Sequence, residues 1–150
     1  MRLLSYILFL SLVWADPPDW TDNPGGYQFV AALVGGVVLN EGVQLGDEGD
    51  LFAAFDENGN VRGVATQLTV PGGPYQGTTV YEMTMRSNAD GDVLSFQYYD
   101  ASEDAILDIS ETYTFAEGDQ LGNLLDPYIL NVGAPDLNCS EGTVGLDYYL

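Results

Sequence analysis

The stretch "DLFAAFDENGNVRGVAT" (residues 50–66) decides the fold. Leu51 to Phe55 is a short apolar run, Asp56-Glu57-Asn58-Gly59-Asn60 follows it, and Val61 opens a second run carrying Arg62, one of only three basic residues. Two apolar runs around a tip of turn-forming residues make a β-hairpin. Asn58-Gly59 supplies the positive-φ conformations a tight tip needs, and the neighbouring acids then lie in solvent. The tip also gathers side-chain oxygens, the material for a hard cation. It fails as an EF-hand loop, because Val61 and Gln67 occupy the sixth and twelfth positions counted from Asp56.

Outward from this hairpin, apolar residues alternate with period two between clusters of Gly, Asn, Asp and Pro. "YQFVAALV" (27–34) reads as the first strand, and Gly35-Gly36 permits a bend before "VVLN" (37–40), which continues it or begins another. "VRGVATQL" (61–68) reads as one strand. In "TTVYEMTMRS" (78–87), Tyr81, Met83 and Met85 share one face and Glu82, Thr84 and Arg86 the other. Asp90-Gly91 then signals a tight hairpin, with "DVLSFQYY" (92–99) returning and Leu94, Phe96 and Tyr98 turned inward. "AILDISETYTF" (105–115) alternates except at Glu111, and "PYILNV" (127–132) makes a last strand after a Gly-rich loop. No segment reads as a helix. The chain is expected to be all-β, with seven or eight strands in two antiparallel sheets packed as a β-sandwich, immunoglobulin-like or jelly-roll.

Composition narrows the function. The 150 residues include 23 acids, three bases and no His, for a formal charge of -20. Without His there is no Ser-His-Asp or Cys-His nucleophile and no His-metal site. The basic residues are all Arg, so Schiff-base lysines and P-loops are excluded as well. Nucleic-acid binding needs clustered cations and is excluded by this charge. A hydrophobic fraction of 46% argues for a packed core over a disordered polyanion.

"MRLLSYILFLSLVWA" (1–15) has the form of a signal peptide, with Val13 and Ala15 at the small-residue positions of a cleavage site. The mature chain would then begin at Asp16, outside the cytoplasm and without a membrane span. Residues 16–26, "DPPDWTDNPGG", form an N-terminal arm carrying Trp20, 27–132 the sandwich, and 133–150 a C-terminal tail or donor strand. The tail holds an N-glycosylation sequon at Asn138, the unpaired Cys139 and an apolar end, Leu146, Tyr148, Tyr149 and Leu150. Arms that carry apolar residues are what strand exchange between subunits would use.

"GDLFAAFDENGNVRGVAT", "VLSFQYYDASEDAILDISETYTF" and "GNLLDPYIL" together resemble an acidic β-sandwich module of secreted and surface proteins from aquatic bacteria and microalgae. The resemblance spans roughly residues 27–132 and implies a scaffold used in adhesion, extracellular matrix and filament assembly. It implies no reaction.

Several side chains are candidates for binding. Asp56, Asn58, Asp100 and Asp104 would hold calcium if the loops bearing them were adjacent; the alternative is turn chemistry with solvated acids. Tyr75, in "PGGPYQG", and Tyr99, on the face opposite Phe96, are candidates for stacking on a glycan. Arg62 is expected to make a structural ion pair or bidentate hydrogen bond. No pair of carboxylates is singled out for glycoside hydrolysis, and no enzyme is expected. The leading expectation is a secreted structural subunit that partners its own copies or other surface proteins and glycans in a filament or matrix. Trp20 and the apolar tail residues would carry the assembly, with no cofactor other than calcium. The second expectation is a carbohydrate-binding or calcium-dependent adhesion module.

Overall fold

The computed structural model describes residues 16–133. The expected leader and the tail residues Asn138, Cys139, Leu146, Tyr148, Tyr149 and Leu150 lie outside the described residues. The elements are a 3-10 turn at Pro24–Gly26 and ten strands: β1 Phe29–Asn40, β2 Val43–Gln44, β3 Leu51–Phe55, β4 Val61–Val64, β5 Thr66–Thr69, β6 Thr79–Ser87, β7 Val93–Asp100, β8 Ala105–Thr114, β9 Gln120–Leu121 and β10 Tyr128–Asn131. One sheet has the order β10-β1-β6-β5, with β2 and β9 also pairing on β1; the other has the order β4-β3-β7-β8. They form a β-sandwich. Most pairings are antiparallel, while β9 and β10 run parallel to β1.

The core is the space between the two inner faces. Tyr81, Met83 and Met85 of β6 meet Phe52 and Ala54 of β3 and Leu94, Phe96 and Tyr98 of β7, all in one buried cluster. The Phe52 and Tyr81 rings meet edge-on with centroids 5.5 Å apart. A smaller cluster of Val37, Val70 and Val80 lies apart from it. Val37 and Val80 are the chain neighbours of the core residues Val38 and Tyr81, so strand alternation turns them to the opposite face.

Two connections differ from the sequence expectation, and the structure fixes a third that the sequence left open. Gly35-Gly36 lies inside one continuous strand, β1, where the register with β6 shifts between Leu33 and Gly36. Glycine is needed there for close approach, because a Cβ on Gly35 would sit 2.8 Å from the Asn123 carbonyl oxygen. Residues 61–68 are two strands. β4 pairs with β3 in the four-stranded sheet, the Ala65 amide still donates to the Phe52 carbonyl at 2.8 Å, and β5 then pairs with β6 in the other sheet. The chain changes layers at Ala65.

The expected β6–β7 hairpin is also corrected. β6 lies in the six-stranded sheet and β7 in the four-stranded one, so Asp90-Gly91 joins the layers and pairs nothing across a ladder. Both arrangements place Met83 and Phe96 in the core, since alternation is the same for strands side by side and for strands face to face. The turn is held by other partners: the Gly91 amide donates to the Phe115 carbonyl, and the Glu117 amide donates to the Asp90 carboxylate at 2.7 Å.

The two layers also meet at the other side. Ile109 of β8 bridges Val132 beyond β10, and the Gly133 amide donates to the Asp108 carbonyl. Glu111, the break in the apolar alternation of β8, accepts hydrogen bonds from the Asn131 amide and side chain, both at 2.7 Å. Burial opposes ionisation of Glu111, but these bonds outweigh it and hold the carboxyl below its ordinary value.

Gly63→Ala tests the crossing at β4, where an added Cβ would lie 2.6 Å from the Thr84 carbonyl oxygen and 2.9 Å from Met83 Cγ. The substitution should cost about 1–3 kcal/mol. The check is a lower urea midpoint with an unchanged slope.

Candidate functional site

The β3–β4 tip is a closed hydrogen-bonded loop. The Asp56 amide donates to the Asn60 carbonyl at 3.0 Å, and the Gly59 amide donates to the Asp56 carbonyl at 3.0 Å. Gly59 takes the positive φ of 78°, and the register shift beside Phe55 is the accompanying bulge. Among the described residues, positive φ outside glycine occurs at Glu41 and Asp104, so Asn58 does not contribute the conformation expected of it.

The Asp56 carboxylate is buried and fully engaged. Its Oδ1 accepts the amides of Asn58 and Asn60 at 2.9 and 2.8 Å, and Oδ2 accepts Asn60 Nδ2 at 2.9 Å. Arg62 donates to the same Oδ2 from Nε at 3.1 Å and pairs with it through Nη2 at 3.0 Å. Burial disfavours the charged carboxylate, but the bonds from Asn60, Arg62 and Asn58 together outweigh it and hold Asp56 below its ordinary value. Arg62 therefore has the structural role expected of it. Its Nη1 also donates to the Arg86 carbonyl at 3.3 Å and Ser87 Oγ at 3.4 Å, and the Tyr27 ring covers its guanidinium at 4.3 Å. A shallow cleft of about 230 Å³ beside it is lined by Glu57, Asn58, Gly91, Asp92 and Val93 together with Asp56 and Arg62.

Asp100 and Asp104 belong to the opposite end of the sheet. β3 and β7 pair Leu51 with Tyr99 and Phe55 with Ser95. Asp56 is thus six residues along the ladder from Asp100, about 20 Å at the usual strand rise of ~3.3 Å per residue. The structure does not bring these acids together. Asp100 organises its own turn, accepting the Ser102 amide at 2.9 Å, its hydroxyl at 2.8 Å and the Glu103 amide at 3.2 Å. Asp104 accepts the Tyr99 hydroxyl at 3.0 Å. Among the described residues no group of three or more Asp, Glu, Cys or His side chains is placed to hold a metal ion.

The two candidate glycan platforms divide. Tyr99 is buried on β7 with its hydroxyl tied to Asp104, whereas Tyr75 is exposed in the loop before β6. Trp20, in the N-terminal arm, packs on its own sandwich: its ring meets Phe55 edge-on at 5.3 Å. Two residues later, Asp22 forms a forked pair with Arg86, whose Nε and Nη2 both donate at 3.0 Å.

One arrangement escapes sequence reasoning. Asp50 is buried at the head of β3, where Oδ2 accepts the Tyr98 hydroxyl at 2.5 Å and the Asp47 amide at 2.8 Å, and Oδ1 accepts the Ala101 amide at 2.9 Å. The Tyr98 and Tyr81 hydroxyls are 2.9 Å apart, so a polar chain runs through the core between the sheets. Burial, eased by Tyr98 and reinforced by the charges of Asp50 and Asp47, pushes Tyr81 up to about 12. Tyr98 is raised by burial first and then by Asp50, which accepts its proton only while the phenol is neutral. No local spacing signals it, since Tyr98 lies 48 residues from Asp50 along the chain.

Among the described residues no buried side-chain nitrogen or oxygen lacks a hydrogen-bond partner, and no helix is long and apolar enough to cross a membrane. No family model matches the chain, and comparison with curated proteins and with solved structures finds no match.

Asp56 yields a pH prediction. A carboxyl held below its unfolded value of 3.8 contributes stability that is present above that value and lost as pH falls through the folded one. The wild-type urea midpoint should therefore fall more steeply than that of Asp56→Asn between about pH 5 and pH 2, with the variant already weaker at neutral pH. Parallel curves would remove Asp56 from the acid response.

Proposed function

We propose that this chain is a non-enzymatic structural protein of the cell exterior, a subunit that joins its own copies in a filament or surface matrix through exchange of a terminal arm. The observation that carries the reading is the N-terminal arm. Residues 16–22 belong to no strand and are held on the sandwich through Trp20 on Phe55 and Asp22 on Arg86. An element held by side chains alone can leave its own core and enter an identical one with every contact preserved.

The state of the acids supports the same reading. Asp50, Asp56, Asp100 and Glu111 each accept hydrogen bonds from backbone amides, which makes them parts of the scaffold. Secretion and the resemblance to acidic surface modules rest on the leader and the motifs in the sequence.

A binding role keeps one specific observation, the exposure of Tyr75 in its Pro- and Gly-rich loop. It would act on glycans as an adhesion module, and glycan retention lost in Tyr75→Ala would support it.

Sedimentation of the purified protein, with and without residues 16–26 or 134–150, tests the structural reading. Deleting the linking arm should abolish assembly while the circular dichroism of the sandwich persists. Assembly that survives both deletions would overturn it.

A further inference from the structure

The arm on the sandwich has the geometry of a strap with a root, a hinge and two fastenings. The root is Tyr27, whose ring lies over the Arg62 guanidinium, and the Gln28 amide beside it donates to the Asn88 side chain at 3.0 Å. Ahead of the root, Pro24–Gly26 form a single 3-10 turn closed by the Gly26 amide on the Asn23 carbonyl at 3.1 Å. Gly25 has no atom within 4 Å of where a Cβ would stand, so no side chain packs over the turn at that point. Ahead of the hinge, the Asp22 carboxylate grips Arg86 and Trp20 covers Phe55.

Phe55 shows why the strap cannot simply be absent. It neighbours the core residue Ala54 on β3, so alternation points it to the outer face of the four-stranded sheet, yet it is only 7% exposed. A large aromatic on an outer face needs a cover, and the Trp20 ring meets it there. Arg86 similarly needs an anion, being one of three cations among 23 acids.

From these contacts we infer that the link between copies is this strap: Trp20 and Asp22 of one copy seat on Phe55 and Arg86 of a second, with residues 23–26 as the hinge. The inference rests on the structural reading above and names its interface. Trp20 is seven residues from the root at Tyr27, a reach of about 23 Å when fully extended at ~3.3 Å per residue. Mutual exchange closes a dimer, while one-way donation leaves a free slot at one end and a free strap at the other, which propagates. Two chains of charge -20 repel, so exchange should increase from about 0.01 M salt, where the Debye length is ~30 Å, to about 0.15 M, where it is ~8 Å.

A charge-swap mixture tests this directly. In Asp22→Arg the strap carries the wrong sign for its own Arg86, and in Arg86→Asp the slot carries the wrong sign for its own Asp22. Neither variant can fasten its strap internally, but exchange between the two restores opposite charges at both slots. Sedimentation should show each variant alone without exchanged dimer and the equimolar mixture at twice the monomer mass, with Trp20→Ala in both partners abolishing it. A mixture that stays monomeric while the wild-type protein assembles would overturn the strap as the link and leave assembly by another route. If the wild-type protein is also monomeric at every concentration and salt, the structural reading falls with it.

Discussion

The Arg62 guanidinium is the joint on which the architecture depends. From β4 of one sheet it reaches Asp56 at the hairpin tip, the Arg86 carbonyl and Ser87 hydroxyl at the end of β6 in the other sheet, and the face of Tyr27 where the arm enters β1. A chain with 23 acids and three bases has few places to neutralise a buried carboxylate with a cation, and it uses one where two sheets and the N-terminal segment converge. Removing one partner of such a pair costs far more than the pair contributes, because the other is left charged and desolvated.

Buried Asp50 and half-buried Glu111 solve the same problem with amides and a hydroxyl. Asp50 takes two amides and the Tyr98 hydroxyl, and Glu111 takes the Asn131 amide and side chain. Each of these carboxylates lies where one element must be fixed to another: the head of β3 to the end of β7, and the edge of β8 to β10. Charge that looked like a solvated surface in the sequence is partly internal fastening.

How much was legible follows from this. Alternation in residues 51–55, 78–87 and 92–99 identified the inward faces, and Phe52, Met83, Met85, Leu94 and Phe96 are the core. Alternation says which face is buried and nothing about which strand lies beside which, so the pairing across Asp90-Gly91 was misread. The change of layers at Ala65 was hidden because its neighbours Val64 and Thr66 are ordinary strand residues on either side of it. The tip is turn chemistry as read, but Asp56 is buried on Arg62 where the sequence reading left it in solvent, and the Asp56–Asp100 grouping needed strand register that no local spacing contains. Asp50 and the Asp22–Arg86 pair were invisible because their partners are 48 and 64 residues away along the chain.

These features describe a sandwich that uses a few of its acids, Asp50 and Asp56 among them, as internal fastenings, and whose N-terminal arm, among the described residues, is held through side chains outside any strand. A protein so arranged is suited to being a repeating part, since identical cores can trade identical straps. Negative-stain electron microscopy of the purified protein at near-physiological salt addresses that claim most directly. Regular fibres or sheets with a repeat of one sandwich are the expected result, and uniformly dispersed single particles at high protein concentration would contradict it.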